Sequence, residues 1–118
     1  MGLIRSSWTA PLERSVIDIS EDNDLSLPID IRQAAFGGLI VPDTVNGTEI
    51  TFLVAAEEDG TYVPLTDGDN SPIALAVTSA TASGPPLPPE LFAHNFFKIK
   101  TTTAQTTTDT QFLVELKG

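Results

Sequence analysis

Apolar residues fall along this chain in short blocks of period two, separated about every ten residues by Gly, Pro, Asn and Asp. Val16, Ile17 and Ile19 flank Asp18 in a β-branched run that the acidic turn Glu21-Asp22-Asn23-Asp24 closes, which predicts a strand from Ser15 followed by a loop. Leu25, Leu27, Ile29 and Ile31 then alternate with Ser26, Pro28, Asp30 and Arg32. Pro28 removes a ladder donor, so an edge strand is expected there. Residues 36–42 form an apolar run between breakers, and Asn46-Gly47 is a tight-turn dipeptide of hairpin type leading into the next strand. That strand, residues 48–55, puts Ile50, Phe52 and Val54 on one face and Thr51, Leu53 and Ala55 on the other. Both faces read as largely covered, the pattern of a central strand.

Glu58-Asp59-Gly60 turns the chain into residues 61–65, and Asp67-Gly68-Asp69-Asn70 turns it again into residues 73–77, so the three strands read as a meander. Residues 83–89 contain Pro85, Pro86, Pro88 and Pro89. They are expected to stay out of any ladder and to run as an extended crossover, with one helical turn at residues 90–94 after it. Residues 95–101 and 110–117 read as a closing pair, with Phe97 and Ile99 on one side and Phe112, Val114 and Leu116 aligned on the other. A Thr-rich loop, residues 101–108, connects them. Seven or eight short strands with no long stretch of helical period predict an all-β chain, an antiparallel β-sandwich or jelly roll. Residues 1–14 have no periodicity and read as an extended N-terminal arm, leaving residues 15–118 as a single sandwich domain.

Composition narrows the function classes. At 118 residues the chain has the length of one domain, with 41% hydrophobic residues to fill its core. It has no Cys, which removes disulfides, thiolate metal sites and a cysteine nucleophile. The net charge of −10, from 16 acidic against 6 basic residues, repels phosphate backbones, so nucleic acid is not an expected partner. No apolar run approaches the roughly 20 residues that span a bilayer, and residues 1–11 lack the apolar core of a signal peptide. No membrane partner and synthesis in the cytoplasm are therefore expected.

Candidate chemistry is sparse. His94 is the single His, so neither a two-His metal site nor a motif-supported catalytic triad is available, and it reads as a turn or interface residue. The acids cluster in turns, where solvated Asp and Glu are ordinary. Asp67, Asp69 and Asn70 form the sharpest metal candidate, because alternating carboxylate and amide oxygens on a tight loop can ligate calcium. The remaining ligands of a calcium loop are missing, and a plain turn explains the same residues. Asp22-Asn23-Asp24 has the same look and the same weakness. No catalytic residue and no cofactor are expected. The arm supplies the candidate partner contacts instead: Leu3, Ile4, Trp8 and Leu12 as apolar anchors, with Arg5 and Arg14 able to meet an acidic protein surface.

From about Thr48 onward the order of motifs adds a resemblance. It is carried by Ile50-Thr51-Phe52-Leu53-Val54, then Asp59-Gly60-Thr61-Tyr62-Val63-Pro64-Leu65, then Ile73-Ala74-Leu75-Ala76-Val77. Leu87-Pro88-Pro89-Glu90-Leu91-Phe92, Phe97-Lys98-Ile99-Lys100, Ala104-Gln105 and Phe112-Leu113-Val114-Glu115-Leu116 complete it. This order, over about 70 residues, resembles the β-sandwich module of tailed-phage and gene-transfer-agent virion proteins: capsid decoration, head spike-base and head-fibre proteins, and some tail-associated ones. The N-terminal third has no counterpart in it. The resemblance implies a non-enzymatic virion protein, a decoration (cement) or head spike-base subunit. Its expected partners are the major capsid protein or other virion proteins, and sister subunits in a homo-oligomer, a trimer or pentamer. The alternative is a tail or baseplate module that binds host glycan through Tyr62, Asn70 or the Thr-rich loop.

Overall fold

The computed structural model describes residues 13–20, 23–105 and 110–117. These form eight strands and one short helix: β1 (Glu13–Ile19), β2 (Ile29–Asp30), β3 (Phe36–Ile40), β4 (Glu49–Ala55), β5 (Val63–Pro64), β6 (Ala74–Ala76), the 3-10 helix η1 (Pro89–Ala93), β7 (Phe96–Thr101) and β8 (Thr110–Lys117). All pairings are antiparallel and fall into two sheets, β1-β8-β3 and β2-β7-β4-β5, with β6 also on β4. The expected all-β architecture is what the chain adopts, and the turn of helix before β7 is where the sequence places it.

Between the sheets lies one core. Inward positions of β4 (Ile50, Phe52, Val54) and β7 (Phe97, Ile99) face Leu39 of β3 and Phe112, Val114 and Leu116 of β8. Phe52 and Phe97 meet edge to face, 5.9 Å between ring centroids, the arrangement that aromatic quadrupoles favour. Each such side chain contributes about 1.5–3 kcal/mol by leaving water. Leu87 and Leu91 close one end of the core from either side of the Pro88 turn.

Several expectations need correction. The Pro-rich stretch does join a ladder. Leu39 N–H donates to Pro85 O and Val41 N–H to Ser83 O, while Ser83 N–H donates to Val41 O and Leu87 N–H to Gly37 O. Proline lacks a donor but keeps its carbonyl, and positions 83 and 87 supply the N–H groups. Segment 83–87 is therefore an edge strand of the first sheet, beside β3. Its outward positions, Gly84 and Pro86, carry a single N–H between them.

Counted so, the first sheet runs β1, β8, β3, segment 83–87, and the second β2, β7, β4, β5 with β6. The pairs nest: β1 with β8, β2 with β7, β3 with 83–87, and β4 with β5 and β6. One long antiparallel hairpin folded over on itself in this way is a jelly roll.

That nesting explains the remaining differences. β7 and β8 are not a pair; each is central in its own sheet, and the loop between them crosses the sandwich. The Asn46-Gly47 turn likewise links β3 to β4 across the sheets and is not a hairpin, with Gly47 at φ +106°. β5 and β6 do not form a meander but lie end to end along one edge of β4, separated by the loop at 66–72.

The edge position expected for residues 25–31 holds, but their shared face does not. Leu25 bridges Lys100, whereas Ile29 pairs with Phe97, so the register slips by one residue between them. A one-residue slip reverses the faces. Ile29 and Ile31 are buried, Leu27 is 77% exposed, and Ser26 takes the inward place, its Oγ accepting the Ile99 N–H at 2.9 Å. Pro28, at the slip, has no N–H to lose.

Candidate interaction surface

Of the arm residues expected to contact a partner, Leu3, Ile4, Arg5, Trp8 and Leu12 lie outside the described residues. Arg14 does not belong to the arm: β1 begins at Glu13, two residues earlier than its β-branched run suggests, and the backbone of Arg14 pairs with Glu115. The described residues offer a different surface, the outer face of the first sheet. Register places Val16, Leu113 and Ile40 side by side across β1, β8 and β3. Val16 is 61% exposed and Ile40 42%, with Leu113 half-buried between them. Phe36, 56% exposed, shares this face four residues back along β3, opposite Lys117, and the exposed Pro86 lies beside Gly38 between them. Val16, Leu113 and Ile40 thus form an apolar row across three strands of an acidic molecule. Covering Val, Ile and Phe fully is worth about 1.5–3 kcal/mol each, so such a row favours association.

The signal for this face was in the sequence. Adjacent apolar pairs, Val16-Ile17, Leu39-Ile40 and Leu113-Val114, put one member on each side of a strand. One member fills the core and the other is left for a second cover.

The outer face of the second sheet carries cations set over rings and carboxylates, with Leu25 and Leu27 exposed at its β2 edge. Arg32 lies over the Phe96 ring at 5.1 Å and bridges Asp30 at 2.7 Å. This pair holds the Asp30 carboxyl below its usual range, through side-chain hydrogen bonding foremost, and raises Arg32. Lys98 sits 4.4 Å over the Tyr62 ring, and Lys100 bridges Asp24 at 3.0 Å. Thus Arg32, Lys98 and Lys100, half of the six basic residues, are engaged on this face. The two sheets differ: the second carries cations over rings and carboxylates, and no such pairing is found over Val16, Leu113 and Ile40 among the described residues.

No model of a protein family matches this chain, and neither does any curated protein or any solved structure.

The other candidates have local explanations. Asp67 Oδ1 accepts the N–H groups of Asp69, at 2.8 Å, and Ser71, at 3.1 Å, while Asn70 adopts φ 63° and donates its N–H to Asp67 O. The carboxylate caps its own turn. Among the described residues no group of three or more His, Asp or Glu side chains is arranged to hold a metal ion. His94 follows η1, exposed, with its N–H on Leu91 O. It lines an open depression of about 250 Å³ with Val54, Val63, Thr61 and Asn95, where it is the one titratable group. Tyr62, the aromatic expected to contact glycan, has one ring face under Lys98 and donates its hydroxyl to Glu58 O at 2.8 Å. Burial raises its pKa above 10.0, with the charges of Glu58 and Asp59 adding to it.

Sequence reasoning gave no structural role to Gln105, which is wholly buried. Its Oε1 accepts the Asn46 N–H at 2.9 Å and the Thr110 hydroxyl at 3.2 Å. Its Nε2 donates toward Asn46 O, Thr101 Oγ1 and Thr103 O at 3.0–3.1 Å. One amide thereby ties the β3–β4 crossover to β7 and β8 and fixes the end of the sandwich that the apolar row lies upon.

Proposed function

We propose that this protein is a structural subunit of a tailed-phage-type virion, a capsid decoration or head spike-base protein that binds the shell and stabilises it. The observation that carries this reading is the apolar row of Val16, Leu113 and Ile40, with Phe36 farther along β3, on the outer face of the first sheet of a jelly roll. Jelly rolls recur in viral capsid domains. Fold alone assigns no function, and the motif order from about Thr48 onward adds the virion class. In this reading the row and the arm are the adhesive elements. The rigid sandwich holds them in place, and the net charge of −10 keeps the outward surface from sticking to nucleic acid and to other particles.

The test is to tag the chain at its C-terminus in cells that make the particle and image purified virions with a label against the tag. Label at regularly repeated positions on the head supports the reading. Label confined to soluble fractions rejects it, and label on the tail reassigns the subunit to a different part of the virion. Val16→Lys with Ile40→Lys is expected to reduce head occupancy by tenfold or more, since two apolar contacts of ~1.5 kcal/mol or more are replaced by charge.

A further inference from the structure

The two long edges of the first sheet differ. At one, segment 83–87 covers β3. At the other, β1 has β8 on one side and, among the described residues, no strand on the far side. β1 is seven residues long, with no Pro, no Gly, no Lys and no slip in its pairing with β8, and its charges are of both signs, Glu13, Arg14 and Asp18, so a second copy can oppose them in pairs. Such an edge is a template for another strand.

We propose that two copies of this chain pair edge to edge through β1, antiparallel about a two-fold axis at Val16. The choice of partner and register comes from the strand itself, Glu13-Arg14-Ser15-Val16-Ile17-Asp18-Ile19. An antiparallel pair of identical strands keeps outer face with outer face only when the axis passes through a residue, since a slip of one position sets inward residues beside outward ones. Of the registers that qualify, the one centred on Val16 places position 14 opposite position 18 of the second copy. A positive residue then meets a negative one twice over, once on each side of the axis. Centring on Ser15 or Ile17 loses both charge pairs. Opposite charges directly across a ladder stabilise it and like charges destabilise it.

The same register brings the exposed Val16 of one copy against Val16 of the other. The rows Val16-Leu113-Ile40 of both copies then join into a single band across six strands. A two-fold contact of this kind is self-complementary, as most homodimer interfaces are. It gives a dimer where the sequence reading expects a trimer or pentamer, and it does not depend on the virion reading.

The test uses the full chain and sedimentation velocity over a concentration series, with circular dichroism to check folding. The wild type is expected to be a dimer at ~100 µM. Asp18→Arg sets Arg against Arg on both sides of the axis and is expected to raise the dimer dissociation constant about tenfold or more. Arg14→Asp combined with Asp18→Arg restores opposite charges and is expected to return it to within about threefold of wild type. A wild-type monomer at that concentration, or a trimer or pentamer, overturns the proposal. So does Asp18→Arg that dimerises as wild type, or a folded double variant that stays as weak as the single one.

Discussion

Gly37 and Gly38 are neighbours in β3 that face opposite ways, and their surroundings differ sharply. A Cβ at Gly37 would sit 2.5 Å from the carbonyl oxygen of Glu115, a backbone atom that cannot step aside, whereas one at Gly38 would meet nothing within 4 Å. Gly37→Ala is therefore expected to lower stability by ~1–3 kcal/mol through overpacking. Gly38→Ala is expected to be neutral or to raise it by ~0.5–1 kcal/mol, because it lowers the entropy of the unfolded chain. Urea titrations of the two variants decide this, and equal midpoints would refute the close approach of β3 to β8. A second residue-scale expectation concerns Tyr62, the single Tyr, whose ultraviolet absorbance reports its ionisation. Its pKa is raised above 10.0 by burial and by Glu58 and Asp59, so its titration midpoint in the folded chain lies above that in the denatured chain. A folded pKa above the unfolded one means that the tyrosine's contribution is fully present below the unfolded value and is lost as pH rises through the folded one. A midpoint at or below the denatured value would contradict the geometry. Asp30 works in the opposite sense: lowered from 3.8 by Arg32, it contributes above the unfolded value and loses that contribution as pH falls through the folded one.

At the scale of elements, the crossing loop after β7 depends on Gln105. Gln105→Leu withdraws its bonds to Asn46, Thr101, Thr103 and Thr110 and sets an apolar group against polar ones. The expected loss is about 2 kcal/mol or more, read as a lower urea midpoint. An unchanged midpoint would show that the amide is not a tie between the sheets. The strands themselves were legible from period-two patterning wherever one face is core, as with Ile50, Phe52 and Val54 or Phe112, Val114 and Leu116. Which strands pair was not legible. β7 and β8 are adjacent in sequence, yet their partners, β4 and β1, are distant, and alternation says nothing about distant partners. The run at 25–31 misled for a related reason: its alternation is perfect as written, but the slip at Pro28 reverses its faces midway. Segment 83–87 misled because proline's missing donor was weighed and its remaining carbonyl was not. Of the candidate contacts, those in the arm came from the lack of pattern in residues 1–14, whereas the apolar row needed the register of three strands before it could be assembled.

For the whole molecule, nested pairing means that the ends of the described chain meet, β1 lying along β8. Residues 1–12 thus precede a strand that is already paired, and their removal is expected to leave a sandwich that unfolds cooperatively yet fails to bind the particle. Thermal melts followed by circular dichroism and co-sedimentation with particles measure the two halves of that expectation. A truncated chain that does not fold would reject the division between arm and scaffold. The proline-bearing border described beside β3 has one more consequence. Its outward side offers only the Gly84 N–H, because Pro86 has none, so a further strand cannot add there in regular fashion. Stacking of sheets edge to edge into a fibre requires two receptive borders, and among the described residues the first sheet has one, β1. Growth along the first sheet then terminates after a single addition.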